Sequence, residues 1–208
     1  MKYIKKGKEP NSLTEYRLQE YAYYDGYQER DQLKDALLKE QKYICCYCMQ
    51  RISKDKMKIE HWQPQSESEQ LQLTYSNLLG ACLGNEGQPK HLQHCDTHKA
   101  NSIIKANPTQ LIYESIIKFR ANGEIYADDF KINKDLKETL NLNYEGLIKN
   151  RKMMLDIALK NLIDKNKGTW SKETLQREID KWENINNPEH TAYCQIVIYH
   201  LKKKLAKC

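Results

Sequence analysis

A set of cysteines constrains this chain most: a Cys45-x-x-Cys48 knuckle, followed by single cysteines at Cys82 and Cys95. Four thiolates so spaced can close a tetrahedral zinc site, which would fix how the chain runs between them. The second half is irregular, because twelve residues rich in Gly, Gln and His separate Cys82 from Cys95. That loop offers His91 and His94 as substitute ligands, with His98 just beyond it. Cys46, Cys194 and Cys208 read as ordinary free thiols. A disulfide framework or a thioredoxin-like redox pair fits less well. The seven cysteines are odd in number, Met1-Lys2-Tyr3-Ile4-Lys5-Lys6 is no signal peptide, and the segment after Cys48 is basic and strand-like. A metal-held knuckle in a reducing cytosol is the simpler account.

Inside the cysteine frame lies Ile59-Glu60-His61-Trp62-Gln63-Pro64. An acid beside a histidine would ordinarily be a solvated surface pair, but between metal-binding cysteines it points to metal-assisted hydrolysis. A neutral imidazole at His61 is suited to taking a proton from water. Glu60 can supply a hard oxygen ligand to Mg²⁺ or Mn²⁺. Adjacent strand residues face opposite sides, so the strand must bend or end near Glu60 and His61 if both serve one phosphate. Pro64 is consistent with such a stop. If Cys95 opens a helix and binds zinc, a residue three positions on shares nearly its face, whereas the next residue is turned by about 100°. That sends His98 toward the zinc and Asp96 toward a second, catalytic ion. Asp96 is therefore favoured over His98 as a ligand of that ion, and with Glu60 makes a hard-oxygen pair for Mg²⁺ or Mn²⁺. His98 in its place would suit softer Ni²⁺ or Zn²⁺.

Lys2 to Ile4 reads as a short strand. Pro10-Asn11-Ser12 opens a helix, with Ser12 and Glu15 as a capping box. A second helix over residues 28–41 presents Leu33, Ala36, Leu37 and Leu38 on one face. Residues 43–48 turn through the knuckle, and Met57-Lys58-Ile59 forms a strand with Arg51-Ile52 as its partner. Tyr75 to Leu79 begins a short helix and Cys95 to Ser102 another. Residues 116–126 give a hairpin signal with Asn122-Gly123 at its turn. From Leu136 the pattern is helical, over residues 144–164, 171–182 after a Ser171 cap, and 189–207 after Pro188. No repeat, long linker or low-complexity segment interrupts the chain.

The 208 residues suffice for one substantial domain, and no apolar run approaches the roughly 20 residues that cross a bilayer. A formal net charge of +6 suits an anionic partner, though solvated helical faces often look the same. Arg51, Lys54, Lys56, Lys58, Lys90 and Lys99 cluster around the motif and could each contact a nucleic-acid phosphate. Lys202-Lys203-Lys204 reads as a solvated face. Tyr16, Tyr21, Tyr23, Tyr24 and Tyr27 crowd near the N-terminus as partner surface or core. Leu147, Met154, Leu155, Leu159 and Leu162 supply a further apolar face for core or docking.

Glu60-His61, Asn77 and Cys95-Asp96-Thr97-His98-Lys99 follow in the order of the HNH endonuclease family, which residues 43–102 resemble and whose core is a ββα-metal fold. More narrowly, the whole chain resembles the HNH subunits of Septu-type antiphage defence systems, PtuB, including retron-linked forms. The shared features are the N-terminal Lys-Tyr-Ile, Ile59-Glu60-His61-x-x-Pro64, Asn77-Leu78-Leu79-x-x-Cys82 and Leu140-Asn141-Leu142-Asn143. The resemblance implies that the Asn77 amide braces the loop beside His61, where an N-cap role for Asn77 is the plainer alternative. It also implies an Ω-like loop over residues 65–74, and a last metal ligand three residues before a Lys, again Asp96. The usual His or Asn of that third motif is either replaced by Asp96 here or displaced to His98.

The expected fold is α+β: a zinc-stabilised ββα-metal core over residues 43–105 in a mostly α-helical chain. A helical segment, 1–42, precedes it, and a hairpin with a helical partner-docking region, 106–208, follows. By resemblance the chain is a cytoplasmic metal-dependent endonuclease, DNA favoured, with Glu60, His61 and Asn77 catalytic. Structural Zn²⁺ sits on Cys45, Cys48, Cys82 and Cys95. Its implied partners are a PtuA-type ATPase, a nucleic-acid substrate and, for retron-linked forms, a retron reverse transcriptase with its msDNA, with no membrane. Two other readings are a non-catalytic zinc-stabilised binding module and a standalone restriction-type enzyme. The intact Glu60, His61 and Asn77 series speaks against the first, and the lack of a recognition domain after Ser102 against the second.

Overall fold

Ile4 at the N-terminal end is buried, yet its neighbours form no strand. Lys2 pairs with Glu114 at 2.9 Å, the Tyr3 amide donates to the same carboxylate at 2.5 Å, and the Ile4 amide donates to the Pro108 carbonyl at 2.9 Å. Each backbone group thus finds its own partner in place of the expected ladder. The computed structural model describes residues 1–166, 168–183 and 186–208.

Helix α1 (Asn11–Arg17) starts on the Pro10 carbonyl, which accepts from the Leu13 and Thr14 amides. The expected Ser12–Glu15 capping box does not form. The Ser12 hydroxyl bonds instead to that of buried Tyr27, at 2.9 Å. Helix α2 (Arg30–Glu40) buries Leu33, Leu37 and Leu38 and packs on the central sheet.

That sheet pairs β1 (Lys58–His61) with β2 (Leu78–Ala81), antiparallel, with Glu60 opposite Leu79 and His61 opposite Leu78. The expected partner of β1 was Arg51-Ile52. Arg51 is instead engaged with Ile44 in a single bridge that closes the cysteine knuckle. The helix expected at Tyr75 is one 3₁₀ turn, Tyr75–Asn77, before the chain straightens into β2. All four β2 residues are buried, and a short buried apolar run carries no period that tells strand from helix.

Helix α3 (Cys95–Lys99) follows the loop and stops earlier than expected, because Ala100 adopts a left-handed φ of 49°. After α4 (Leu111–Ile116) comes the expected hairpin, β3 (Ile117–Phe119) with β4 (Ile125–Ala127). Its turn needs glycine twice over. Gly123 has φ +97°, and a Cβ there would lie 2.3 Å from the Ile148 carbonyl oxygen. Helix α5 (Phe130–Lys134), capped by Asp129, runs into a π turn, Asp135–Thr139.

Three helices complete the chain: α6 (Glu145–Lys165), α7 (Lys172–Glu183) and α8 (Cys194–Leu205). Ser171 caps α7 as expected, its hydroxyl accepting from the Thr174 amide at 3.2 Å. α8 begins later than residue 189, directly after Tyr193 in the left-handed region. Leu147, Leu155 and Leu162 of α6 are buried, with Met154 and Leu159 packed at the edge, so this apolar face is core. Residues from Met1 to Leu201 contribute to one buried cluster. Among the described residues no helix is long and apolar enough to cross a membrane.

Candidate active site and metal centre

The knuckle, the end of β2 and the start of α3 bring Cys45, Cys48, Cys82 and Cys95 together, all buried, with their sulfurs within 4.8 Å of one another. Cys45 and Cys95 sulfurs are 3.9 Å apart, and those of Cys48 and Cys82 3.8 Å. Disulfides require about 2.05 Å. Four sulfurs at the ordinary Zn–S length on a tetrahedron lie roughly 3.8 Å apart, so the spacing fits zinc. Burial pushes the thiols of Cys95 and Cys46 well above their usual range. Cys82 is likewise raised, first by its hydrogen bonds with Cys45 and Cys48. Burial would raise Cys45 too, but its hydrogen bonds with Cys46, Cys48, Cys82 and Cys95 hold it well below the usual value. A divalent cation bound by the four sulfurs would let them ionise together.

Of the substitute ligands, His94 is buried beside the cluster, its Nδ1 3.2 Å from the Cys95 sulfur, and stacks on Tyr144. His91 is exposed. The loop between Cys82 and Cys95 closes at Gly84, whose φ is +56° and where a Cβ would come 2.1 Å from the His94 carbonyl oxygen. Asn141 then pins the loop through the His91 and Gln93 carbonyls, at 3.1 and 2.7 Å.

β1 ends at His61, which lets two adjacent residues serve one cleft. Glu60 is buried, and its Oε1 accepts from Tyr47 Oη at 2.6 Å and from Lys99 Nζ at 2.8 Å. Asp96 lines the same cleft. Burial, and then the Asp96 carboxylate, push Glu60 well above the usual carboxylate range, and Lys99 offsets only part of this. His61 places Nε2 3.0 Å from the Gln72 carbonyl oxygen, with Tyr24 edge-on at 4.4 Å. A carbonyl only accepts, so Nε2 carries the hydrogen and Nδ1 keeps the free lone pair. Burial holds His61 below the usual imidazole range, against the pull of Gln72.

Asn77 clamps the loop between the strands. Its Oδ1 accepts from the Gln63 amide at 2.8 Å, and its Nδ2 donates to the Gln63 and Leu71 carbonyls at 3.0 and 3.3 Å. Both ends of the loop are held, and with them the Gln72 carbonyl under His61. Asn77 makes no helix cap.

Glu60, His61, Asp96, Lys58, Glu86, Thr97 and Pro64 line an open cleft of about 370 Å³. His98 turns elsewhere, its Nδ1 3.0 Å from the Thr139 carbonyl oxygen. The basic cluster is partly corrected. Lys99 is fully buried, bonding Glu60 and the His61 carbonyl, and cannot meet a phosphate. Arg51 pairs with Glu189 and the His190 carbonyl, Lys54 with Asp35, and Lys90 with the His98 carbonyl, each with its side chain still open to solvent. Lys58 lines the cleft, where it pairs with Glu86 at 2.6 Å, and Lys56 is exposed.

Lys99→Met leaves a buried carboxylate without its cation. The expected cost is about 3–5 kcal/mol. The penalty shrinks as pH falls, because Glu60, already raised, takes up a proton and becomes neutral. Urea denaturation of both proteins across the folded pH range checks this, and a pH-independent difference would contradict it.

No family model matches the chain. A protein of Vibrio cholerae serotype O1 biovar El Tor, named "Retron Vc95 putative HNH endonuclease", is 28% identical over 127 residues, covering 60% of this chain and 59% of that relative. The aligned stretch thus spans less than two thirds of the relative's length.

Proposed function

We propose that this protein is a metal-dependent endonuclease of the HNH type that hydrolyses phosphodiester bonds, DNA being the favoured substrate. One observation carries the reading: His61, its Nε2 hydrogen committed to Gln72, lines the same cleft as the adjacent Glu60 and Asp96 carboxylates. The similarity to a retron protein named as an HNH endonuclease supports it.

In this reading His61 Nδ1 takes the proton of the attacking water. Glu60 and Asp96 would hold Mg²⁺ or Mn²⁺, which when bound neutralises charge on the phosphate and on the leaving 3′ oxygen. Asn77 keeps the Gln72 carbonyl in place, so the imidazole does not rotate. Lys99 and Tyr47 occupy Oε1 of Glu60, leaving the other oxygen for the ion. The four cysteines, with zinc, hold the knuckle and the start of α3, and so the separation of Glu60 from Asp96.

By its resemblance the chain is the effector of an antiphage complex controlled by a PtuA-type ATPase, with retron components as further partners. Supercoiled plasmid and total RNA are incubated with the protein, with and without the neighbouring ATPase, in Mg²⁺ or Mn²⁺ and then in EDTA. Metal-dependent cleavage is expected, with plasmid preferred and the ATPase required. Cleavage without the ATPase would remove the control, and preference for RNA would reassign the substrate.

A further inference from the structure

Arg151 of α6 heads the fully buried side chains by volume. Its hydrogen bonds go to neutral oxygens: Nε to the Gly123 carbonyl at 2.6 Å, and Nη2 to the Leu142 carbonyl at 2.7 Å and Asn143 Oδ1 at 3.3 Å. Nη1 has no partner among the described residues. A buried guanidinium bonded only to carbonyls lacks the anion that such a charge requires.

Its electrostatic neighbours include two residues of the four-cysteine cluster. Burial lowers its pKa to about 10, while Cys48, Tyr193 and Cys95 act to keep it charged. Cys48 and Cys95 belong to the four-cysteine cluster. The segments around Arg151 brace both halves of that cluster. The Leu140 carbonyl accepts from the Cys95 amide at 2.8 Å. The Tyr193 amide donates to the carbonyl of Met49, just past Cys48, at 3.0 Å, and Asn150 of α6 holds the Tyr193 hydroxyl at 3.1 Å. Four thiolates around one Zn²⁺ leave a buried dianion. A dianion and an unpaired cation in one low-dielectric core offset each other's desolvation.

We propose that Arg151 is the internal counter-ion of the four-cysteine zinc centre, and that its charge ties zinc loading to the seating of α6 and the hairpin turn on the core. An arginine serving only as a carbonyl clamp would matter equally with and without metal, whereas a counter-ion matters when the dianion is present. The coupling is independent of the nuclease chemistry.

Zinc affinity, by competition with a chromophoric chelator, and urea denaturation with and without zinc are measured for the wild type, Arg151→Met and Arg151→Lys. The methionine variant is expected to bind Zn²⁺ about 10- to 100-fold more weakly, with lysine recovering most of the loss. It is also expected to lose more stability in the zinc-loaded protein than in the metal-free one. Unchanged zinc affinity, or equal destabilisation in both forms, overturns the proposal. A wild type that binds no zinc overturns it together with the zinc site. Should Arg151→Met not fold, Cys95→His lowers the charge on the other side. Arg151→Lys then costs less affinity in that background than in the wild type, and an equal cost overturns the counter-ion role.

Discussion

Cys45→Ser or Cys48→Ser is expected to strip the protein of zinc and to remove its cooperative unfolding transition. Structural zinc contributes about 10–16 kcal/mol of folding free energy in small sites. That is as large as the whole stability of an ordinary domain, about 5–15 kcal/mol. The cluster joins the knuckle, β2 and α3, so its loss loosens the sheet against the helix that carries Asp96, beyond what the Lys99 bonds to Glu60 and the His61 carbonyl hold. Cys46→Ser is the control. Cys46 is buried next to Cys45 but lies outside the cluster, so zinc content stays at one per chain. Elemental analysis and thermal melts of the three variants check this. Full zinc in Cys45→Ser would contradict the assignment.

His61→Ala is expected to lower cleavage by about 10²- to 10⁴-fold, the range for removing a positioned general base. Folding should survive, since the change leaves one carbonyl, that of Gln72, without its donor, at about 1–3 kcal/mol. Zinc stays bound because His61 is no part of the cysteine cluster. In the proposed mechanism the neutral imidazole is the active form. Its pKa is lowered, so activity persists as pH falls through the ordinary histidine value of about 6.5 and is lost only below it. A rate profile whose acid limb lies above that value would contradict the burial-lowered base.

The cysteine set was legible because metal ligation fixes residue type and spacing together. That Glu60 and Asp96 meet in one cleft follows from their places at the end of β1 and the start of α3, and the C-terminal helices follow from their period and caps. What sequence hid were groups that act without a side-chain signature. The Gln72 contact to His61 is a main-chain carbonyl, and Tyr24 arrives from the N-terminal segment. Lys99 was misread among its basic neighbours, although the helix offered a clue: it stands four residues after Cys95, on the same buried face. β2 was read as helix because a strand buried on both sides loses the alternation that marks strands at a surface. Tyr47, between two cysteines, carries no motif of its own, yet its hydroxyl holds Glu60.

Cleavage of supercoiled plasmid by the wild type and His61→Ala, side by side in Mn²⁺ with the proposed PtuA-type ATPase present and zinc content matched, tests the central claim most directly. Nicked or linear product from the wild type, with none from the folded, zinc-loaded variant, is the predicted result. Equal cleavage by both would place the chemistry elsewhere and contradict the account.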